Sequence, residues 1–303
     1  MKAEHAQSAT PYYHRLRTGA GNDAVGNGQR VTAARSFFNA CADTLIRLLG
    51  LNRPTRITRA FLDRIDVVNK VVLNGTTMVF DANHELHLLR SRLIGTKEPE
   101  TIAWIDTFSP DAVFFDIGAN IGVFTLYAAL HRNCDVYAFE PEAKNYACLN
   151  RNLLLNGLGR RVKALNVGLH DSTCIEFLQL HDLSSGAALH ALGEPIDWRG
   201  ERFEPRFEQA VLAFGLDDFV QRLGTPSPNY IKLDVDGNEE KIIRGGRRTF
   251  SDPAMKSLMI EINENNRALA ELIESCGLHL THRTRAAMQG AHSDTYNAVF
   301  SRV

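Results

Sequence analysis

Residues 112–125, Ala-Val-Phe-Phe-Asp-Ile-Gly-Ala-Asn-Ile-Gly-Val-Phe-Thr, constrain this chain more than any other stretch. An apolar run, Ala112 to Phe115, passes through Asp116 into Gly118, Asn120 and Gly122. It then becomes a helical pattern carrying Phe124, Thr125, Leu126, Tyr127 and Leu130. A buried strand feeding a glycine turn that opens a helix presents backbone N–H groups to a nucleotide-like ligand, and it commits the chain to an α/β fold.

The residues downstream keep that pattern. Strands are predicted at Val136–Phe139, Val162–Val167, Tyr230–Asp234 and Leu258–Ile262, with helices over 142–156, from about 239, and over 265–276. Cys174–Leu180 and Ala210–Phe214 read as an inserted pair of strands around a polar loop at 181–207. Strand–helix alternation implies a mostly parallel sheet with helices on both faces. Leu278–His282 and Thr295–Ser301 have no helix between them, so the sheet is expected to close on an antiparallel strand.

Upstream, residues 1–30 are poor in large aliphatics and read as a disordered arm. Residues 31–108 read as an extension. Phe37, Cys41, Leu45, Leu48 and Leu49 predict a helix, residues 65–94 alternate like strands around an Asn74-Gly75 hairpin turn, and 97–108 predict a second helix with Pro99 in its first turn. Seven arginines between Arg30 and Arg64 face only Asp43 and Asp63. They read as a solvated basic face, or as a weak peripheral contact for an anionic lipid or a protein partner. Residues 109–303 form the ligand-binding domain.

A net charge of −1 over 303 residues gives no global attraction to nucleic acid. No apolar run reaches the roughly 20 residues of a membrane span. The five cysteines, Cys41, Cys134, Cys148, Cys174 and Cys276, form no C-x-x-C and suit reduced thiols in a cytoplasmic protein.

The glycine turn excludes two ligand classes. The dinucleotide spacing G-x-G-x-x-G fails at Asn120 and Val123, which weakens a dehydrogenase reading, and the phosphate-loop ending Gly-Lys-Ser/Thr is missing. Asp116 ahead of the turn would repel a pyrophosphate but suits an ammonium or a sulfonium. S-adenosylmethionine carries both. Glu140, 22 residues beyond Gly118 and at the end of the next strand, suits the ribose hydroxyls. Asn166, ending the third strand, reads equally as an adenine contact or a turn asparagine.

Asp234 and Glu261 end neighbouring strands, where α/β sheets place their ligands. Asp234, Asp236 and Asn238 mimic a calcium loop, but Gly237 sits too early and Gly245 stands where a glutamate is needed. Two carboxylates at one rim suit a shared metal, or a general base beside a substrate hydrogen bond. The second is favoured, with no metal expected, because no histidine lies close in sequence.

These motifs together resemble the FkbM family of S-adenosylmethionine-dependent methyltransferases. Asp116, Gly118, Ala119, Asn120 and Gly122 match its D-x-G-A-N-x-G; Phe139-Glu140-Pro141 match F-E-P; Lys232, Asp234, Val235, Gly237 and Glu239 match K-x-D-V-E-G-x-E. Glu98-Pro99-Glu100-Thr101, Asn152-x-x-x-Asn156-Gly157, Leu216-Asp217-Asp218-Phe219 and Tyr296–Phe300 fall in order around them. Asp236 replaces the usual glutamate, and Asn238 stands where a small residue is common. The resemblance covers roughly 65–303. It implies a Class I, Rossmann-like seven-stranded fold whose last strand is antiparallel. It also implies O-methylation of a hydroxyl on a small-molecule or glycan acceptor, often a sugar or natural product. Asp116, Gly118, Asn120, Gly122, Thr125, Glu140, Asn166 and Asp234 are then expected around the cofactor, and Asp234 and Glu261 at the reaction. His170, His181, His190 and His292 flank rim loops as weaker base candidates, and the loop at 181–207, with Trp198, Arg199 and Arg202, is expected to meet the acceptor. A non-catalytic cofactor-binding module acting through a protein partner is the alternative.

Overall fold

The structure is a computed structural model that describes residues 67–196, 200–264, 266–285 and 295–303. The expected arm at 1–30, the helix and arginine face at 30–64, and Trp198, Arg199 and His292 lie outside the described residues.

The chain opens on a hairpin of β1 (Val68–Leu73) and β2 (Thr76–Asp81). Its turn places both Asn74 (φ 46°) and Gly75 (φ 78°) in the left-handed region, as a two-residue type I′ connection requires. Residues 85–92, read above as part of a strand-like stretch, instead form helix α1 (Glu85–Arg92). Its polar composition hides a helical period, and the helix is fixed by its ends: the His84 ring accepts from Leu86 N–H, and Glu85 and Arg92 sit at the dipole ends they favour. Helix α2 (Pro99–Asp106) carries Pro99 in its first turn as expected.

The main sheet holds β3 (Val113–Ile117), β4 (Asp135–Phe139), β5 (Val162–Leu165), β10 (Tyr230–Leu233), β11 (Ser257–Asn263), β12 (His279–Arg285) and β13 (Thr295–Ser301). Their spatial order is β12-β13-β11-β10-β3-β4-β5. The run β11-β10-β3-β4-β5 is parallel throughout, and only β13 runs against its neighbours. Chain direction across the sheet reverses between β3 and β10, which makes their carboxyl ends the switch point where α/β sheets bind ligands. This is the Class I methyltransferase arrangement the sequence predicts.

Both faces of the sheet are covered. Along β3, Phe114 packs into one core with Met78, Phe80, Trp104, Leu126 and Tyr127, while Phe115 and Ile117 pack into a second with Phe139, Phe219, Ile231 and Leu233. Strand alternation divides the run between the two cores. The helices on the sheet are α3 (Val123–His131), α4 (Ala143–Leu155), α5 (Leu216–Leu223), α6 (Glu239–Gly245), α7 (Arg247–Ser251) and α8 (Arg267–Glu274). The acidic segment at 216–219 opens α5, and its Asp217 carboxylate accepts from Thr249 N–H at 2.8 Å, which caps the first turn of α7.

The inserted strands form a separate four-stranded sheet in the order β6-β9-β7-β8: β6 (Gly168–His170), β7 (Cys174–Leu180), β8 (Ala191–Leu192) and β9 (Phe207–Gly215). β7 and β9 pair antiparallel, as expected, and β8 lies within what the sequence suggested was an irregular loop.

Asn152 of α4 and Asn156, the residue that caps its C-terminus, dock the hairpin. Asn156 Oδ1 accepts from Val79 N–H at 2.9 Å while its Nδ2 donates to Val79 C=O at 2.6 Å, and Asn152 Oδ1 accepts from Asp81 N–H at 2.7 Å. Each side-chain amide thus satisfies β2 as a neighbouring strand would. Asn156→Ala removes both bonds to Val79 and is expected to cost about 1–2 kcal/mol in urea unfolding; a loss below about 0.5 kcal/mol would show that water replaces the amide without penalty.

Candidate active site

At the end of β3, Asp116 is buried, with Oδ2 accepting from Thr125 Oγ1 at 2.5 Å. This pair ties the strand to the first turn of α3 beneath the glycine loop. Burial raises the Asp116 pKa, opposed by the Lys232 ammonium and the Thr125 hydroxyl.

Gly118 has φ +83°, and a Cβ there would lie 2.0 Å from the Asp234 carbonyl oxygen. At Gly122 (φ +84°) a Cβ would lie 2.4 Å from Leu149 Cδ1 of α4. Both glycines therefore let the turn nest against protein: Gly118 against the end of β10, Gly122 against α4. Asn120, also left-handed at φ 51°, donates its N–H to Glu140 Oε2 at 2.7 Å.

Glu140, at the mouth of β4, uses its other oxygen to accept from Glu142 N–H at 2.9 Å. Burial pushes its pKa up to about 7 against those two amides. Each oxygen keeps a lone pair for a further donor. Asn166 donates to the carbonyls of Glu140 and Pro141, both at 2.9 Å, so its amide nitrogen shapes the turn that carries Glu140.

Lys232 matched the family motif, but sequence reasoning gave it no role at the site. It is buried on β10, and its Nζ lies 2.5 Å from Asp234 Oδ2 and 4.9 Å from the centre of the Phe124 ring. Burial disfavours the ammonium, but Asp234, Glu98 and Asp116 hold it protonated. A lysine between Ile231 and Leu233 in a buried strand signals a partner, and the i,i+2 spacing to Asp234 names it. Asp234 is partly exposed at the rim; burial works to raise its pKa, and Lys232 more than offsets this and keeps it ionised.

Three more carboxylates surround it. Burial and the Asp234 charge push Asp236 up to about 6 and Glu261, on β11, up to about 7, with Asp236 and Glu98 also acting on Glu261. Burial pushes Glu239 up to about 8. The rim thus combines one firmly ionised carboxylate with several that burial first, and neighbouring negative charge second, hold back from ionising. That chemistry fits a cationic ligand, such as one bearing a sulfonium and an ammonium, and is hostile to a pyrophosphate.

The loop after β7 closes one side. Ala187 C=O accepts from Asn120 Nδ2 at 2.7 Å and from Asn145 Nδ2 at 3.1 Å, and Leu189, left-handed at φ 66°, donates its N–H to Asp236 Oδ2 at 2.6 Å. Residues 187–189 therefore join the glycine turn, α4 and the loop after β10. Nothing in the sequence of 181–207 signalled this, because the contacts are made by backbone atoms. Of the histidines expected near the rim, His190 is driven down to about 4 by burial and stays neutral. His170 is held between Asp171 and Lys241, and His181 stacks edge-on against Phe203. Arg202 pairs with Glu194 at 2.6 Å on an exposed bridge.

Among curated proteins, the chain is 25% identical over 183 residues to the 31-O-demethyl-FK506 methyltransferase FkbM of Streptomyces tacrolimicus, covering 54% of this chain and 70% of that one. It is 30% identical over 151 residues to the methyltransferase sdnD of Sordaria araneosa, covering 43% of this chain and 58% of that one. Among solved structures, the precorrin-6y C5,15-methyltransferase of Geobacter metallireducens GS-15 aligns with a TM-score of 0.40 at 16% identity, over 69% of this chain and 90% of that one. The methyltransferase FkbM domain model matches residues 116–288, more than half of the chain and all of the switch-point machinery. The chain belongs to the FkbM family of S-adenosylmethionine-dependent methyltransferases.

Proposed function

We propose that this methyltransferase acts on oxygen, transferring the methyl group to a hydroxyl of a small natural-product or sugar-like acceptor, and that it works in the cytoplasm. The FkbM relative's name describes a methyltransferase of 31-O-demethyl-FK506, a small-molecule acceptor. The four described cysteines are all free, as suits a reducing compartment. No helix among the described residues is long and apolar enough to cross a membrane.

The single observation that carries the oxygen reading is the division of labour between Asp234 and Glu261. A hydroxyl must lose its proton as it attacks, and a base serves best with a pKa near the working pH. Glu261, pushed up to about 7 by burial and by Asp234, meets that demand. Asp234, kept ionised by Lys232, is a poor base but a firm acceptor. S-adenosylmethionine supplies an activated methyl group on a sulfonium. The chain's own task is alignment and proton removal: Glu140 and the Asn120 turn hold the ribose end, Asp234 orients a cationic or hydroxyl group, and Glu261 takes the acceptor proton. Asp116 and Thr125 support the turn from below, and Asn166 does so from the β4 side.

A donor-labelling assay on a panel of polyhydroxylated acceptors tests this. Glu261→Gln is expected to lower turnover about 100-fold or more, and Asp234→Asn about as much. Near wild-type rates in both variants would remove the assignment. Wild-type activity is expected to rise with pH through about 7, because Glu261 must be deprotonated to act. Glu261→Gln should lose that limb. Acceptors that offer only amines and are methylated faster than alcohols would move the reading to nitrogen.

A further inference from the structure

Away from the switch point, three side chains from three elements converge in the protein interior: Asp81 at the end of β2, His87 on α1 and Cys148 on α4, all buried. His87 Nδ1 lies 2.8 Å from Asp81 Oδ2 and 3.5 Å from Cys148 Sγ, and Sγ lies 4.0 Å from Asp81 Oδ2. Sequence reasoning missed the group because Cys148 stands 61 residues from His87 and 67 from Asp81. We propose that these three residues form a binding site for a borderline-soft divalent cation, zinc foremost, that clasps the hairpin and α1 to α4, the helix against which the glycine turn packs.

Donor chemistry is the first support. Carboxylate, imidazole and thiolate in a single set suit zinc, whereas magnesium and calcium prefer oxygen alone. Spacing is the second. Bonds of roughly 2.0–2.3 Å in a tetrahedral shell separate the donors by roughly 3.3–3.8 Å. The three observed separations bracket that range, so shifts of about half an ångström seat the ion. The fourth position is left to water.

The strongest support is that each donor is oriented from behind. The second Asp81 oxygen accepts from Asn83 Nδ2 at 2.5 Å. Asn152 Nδ2, which also donates to Ile121 C=O, faces Cys148 Sγ at 3.7 Å. His87 Nε2 lies 2.8 Å from Ser185 Oγ, and that hydroxyl donates in turn to Lys144 C=O at 3.3 Å. With Ser185 donating to Lys144 and accepting from His87 Nε2–H, the imidazole directs Nδ1 at a carboxylate oxygen and a sulfur. Once the protons held among these three donors leave, their lone pairs face one point, which a cation fills. Second-shell support of this kind fixes the tautomer of metal-ligating histidines.

Binding forms metal–oxygen, metal–nitrogen and metal–sulfur bonds. It releases to solvent the Cys148 thiol proton and any proton shared by His87 and Asp81, with no change of oxidation state. The site takes no part in methyl transfer. It reaches the rim indirectly, since Ser185 precedes Gly186, whose N–H donates to Asn145 Oδ1 at 2.7 Å and whose carbonyl accepts from Arg90 Nε at 2.6 Å.

The full chain, stripped with a chelator and dialysed against cobalt(II), tests the site by its absorption spectrum. One cobalt per chain is expected, with a thiolate-to-cobalt charge-transfer band. The band should persist in Cys174→Ala and vanish in Cys148→Ala. Zinc should displace cobalt, raise the melting temperature, and bind on the order of 100-fold more weakly to His87→Asn, which keeps a hydrogen-bonding side chain in place. If Cys148→Ala does not fold, X-ray absorption of the zinc-loaded wild type decides: one sulfur with nitrogen and oxygen in the first shell supports the site, and a sulfur-free shell overturns it. A folded wild type that retains no metal overturns it, as does a charge-transfer band that survives in folded Cys148→Ala or His87→Asn.

Discussion

Gly118→Ala is expected to be among the most damaging single substitutions in this chain, costing on the order of 4 kcal/mol or more and removing cofactor binding with the fold. Two costs add. The residue stands at φ +83°, where a Cβ is disfavoured by about 1–2 kcal/mol. The new methyl would also lie 2.0 Å from the Asp234 carbonyl oxygen, an overlap that something must relieve. Neither side can move cheaply. Asp234 N–H is bonded to Ile117 C=O at 3.1 Å, and the N–H groups of Gly118 and Ala119 both donate to Phe139 C=O at 3.0 Å. Gly157→Ala separates the two costs, because that glycine is also left-handed (φ +67°) with open space around it and should lose only about 1 kcal/mol. Urea unfolding of both variants makes the comparison. A Gly118→Ala loss no larger than that of Gly157→Ala would mean that the turn and β10 are not locked together.

Lys232→Met is expected to cost about 3–5 kcal/mol, because it strips the cation from a buried cluster and leaves Asp116 and Asp234 facing each other. The methionine nearly matches the lysine stem in volume, so the loss reports the charge, including the ammonium's place over the Phe124 ring, rather than packing. The pH dependence has a definite sign. Asp116 already has a raised pKa in the folded protein, and without Lys232 it rises further, so ionising it opposes folding. Asp234 has a lowered pKa that stabilises the fold above the unfolded carboxylate value, and that contribution disappears with its partner. Both effects make the variant worst at neutral pH, with its deficit shrinking as pH falls toward about 4. A deficit that stays constant from pH 4 to 8 would argue against the ion cluster.

The parts of this molecule legible in the sequence are those whose physics is local. Asn74-Gly75 specifies its turn by backbone preference alone, and the alternation of apolar runs with helical periods gives the parallel sheet and its antiparallel closing strand. Helix α1 escaped because a short polar helix is set by its caps and by packing rather than by an apolar stripe. The same limit applied at the site. Asp116, Gly118, Glu140 and Asp234 stand out as motif letters, but the letters do not say what each one faces. Gly118 proves to be shaped around the carbonyl of Asp234, 116 positions later, and Asn166 proves to shape the turn that carries Glu140. The roles of Ala187 and Leu189 rest on main-chain atoms that any residue possesses, so their identities carried no signal.

Asn152 and Asn156, which hold the hairpin, have a consequence for solubility. A two-stranded ribbon has a free outer edge, and an edge of unpaired N–H and C=O groups is a template for another molecule's strand. Over the second half of β2 that template is largely occupied: Val79 is bonded at both its N–H and its C=O, and Asp81 at its N–H, by side chains that cannot extend into a further strand. The contacts that orient the hairpin on α4 therefore also shield it from edge-to-edge association. Loss of Asn152 or Asn156 should appear first as concentration-dependent aggregation, before any loss of methyl transfer.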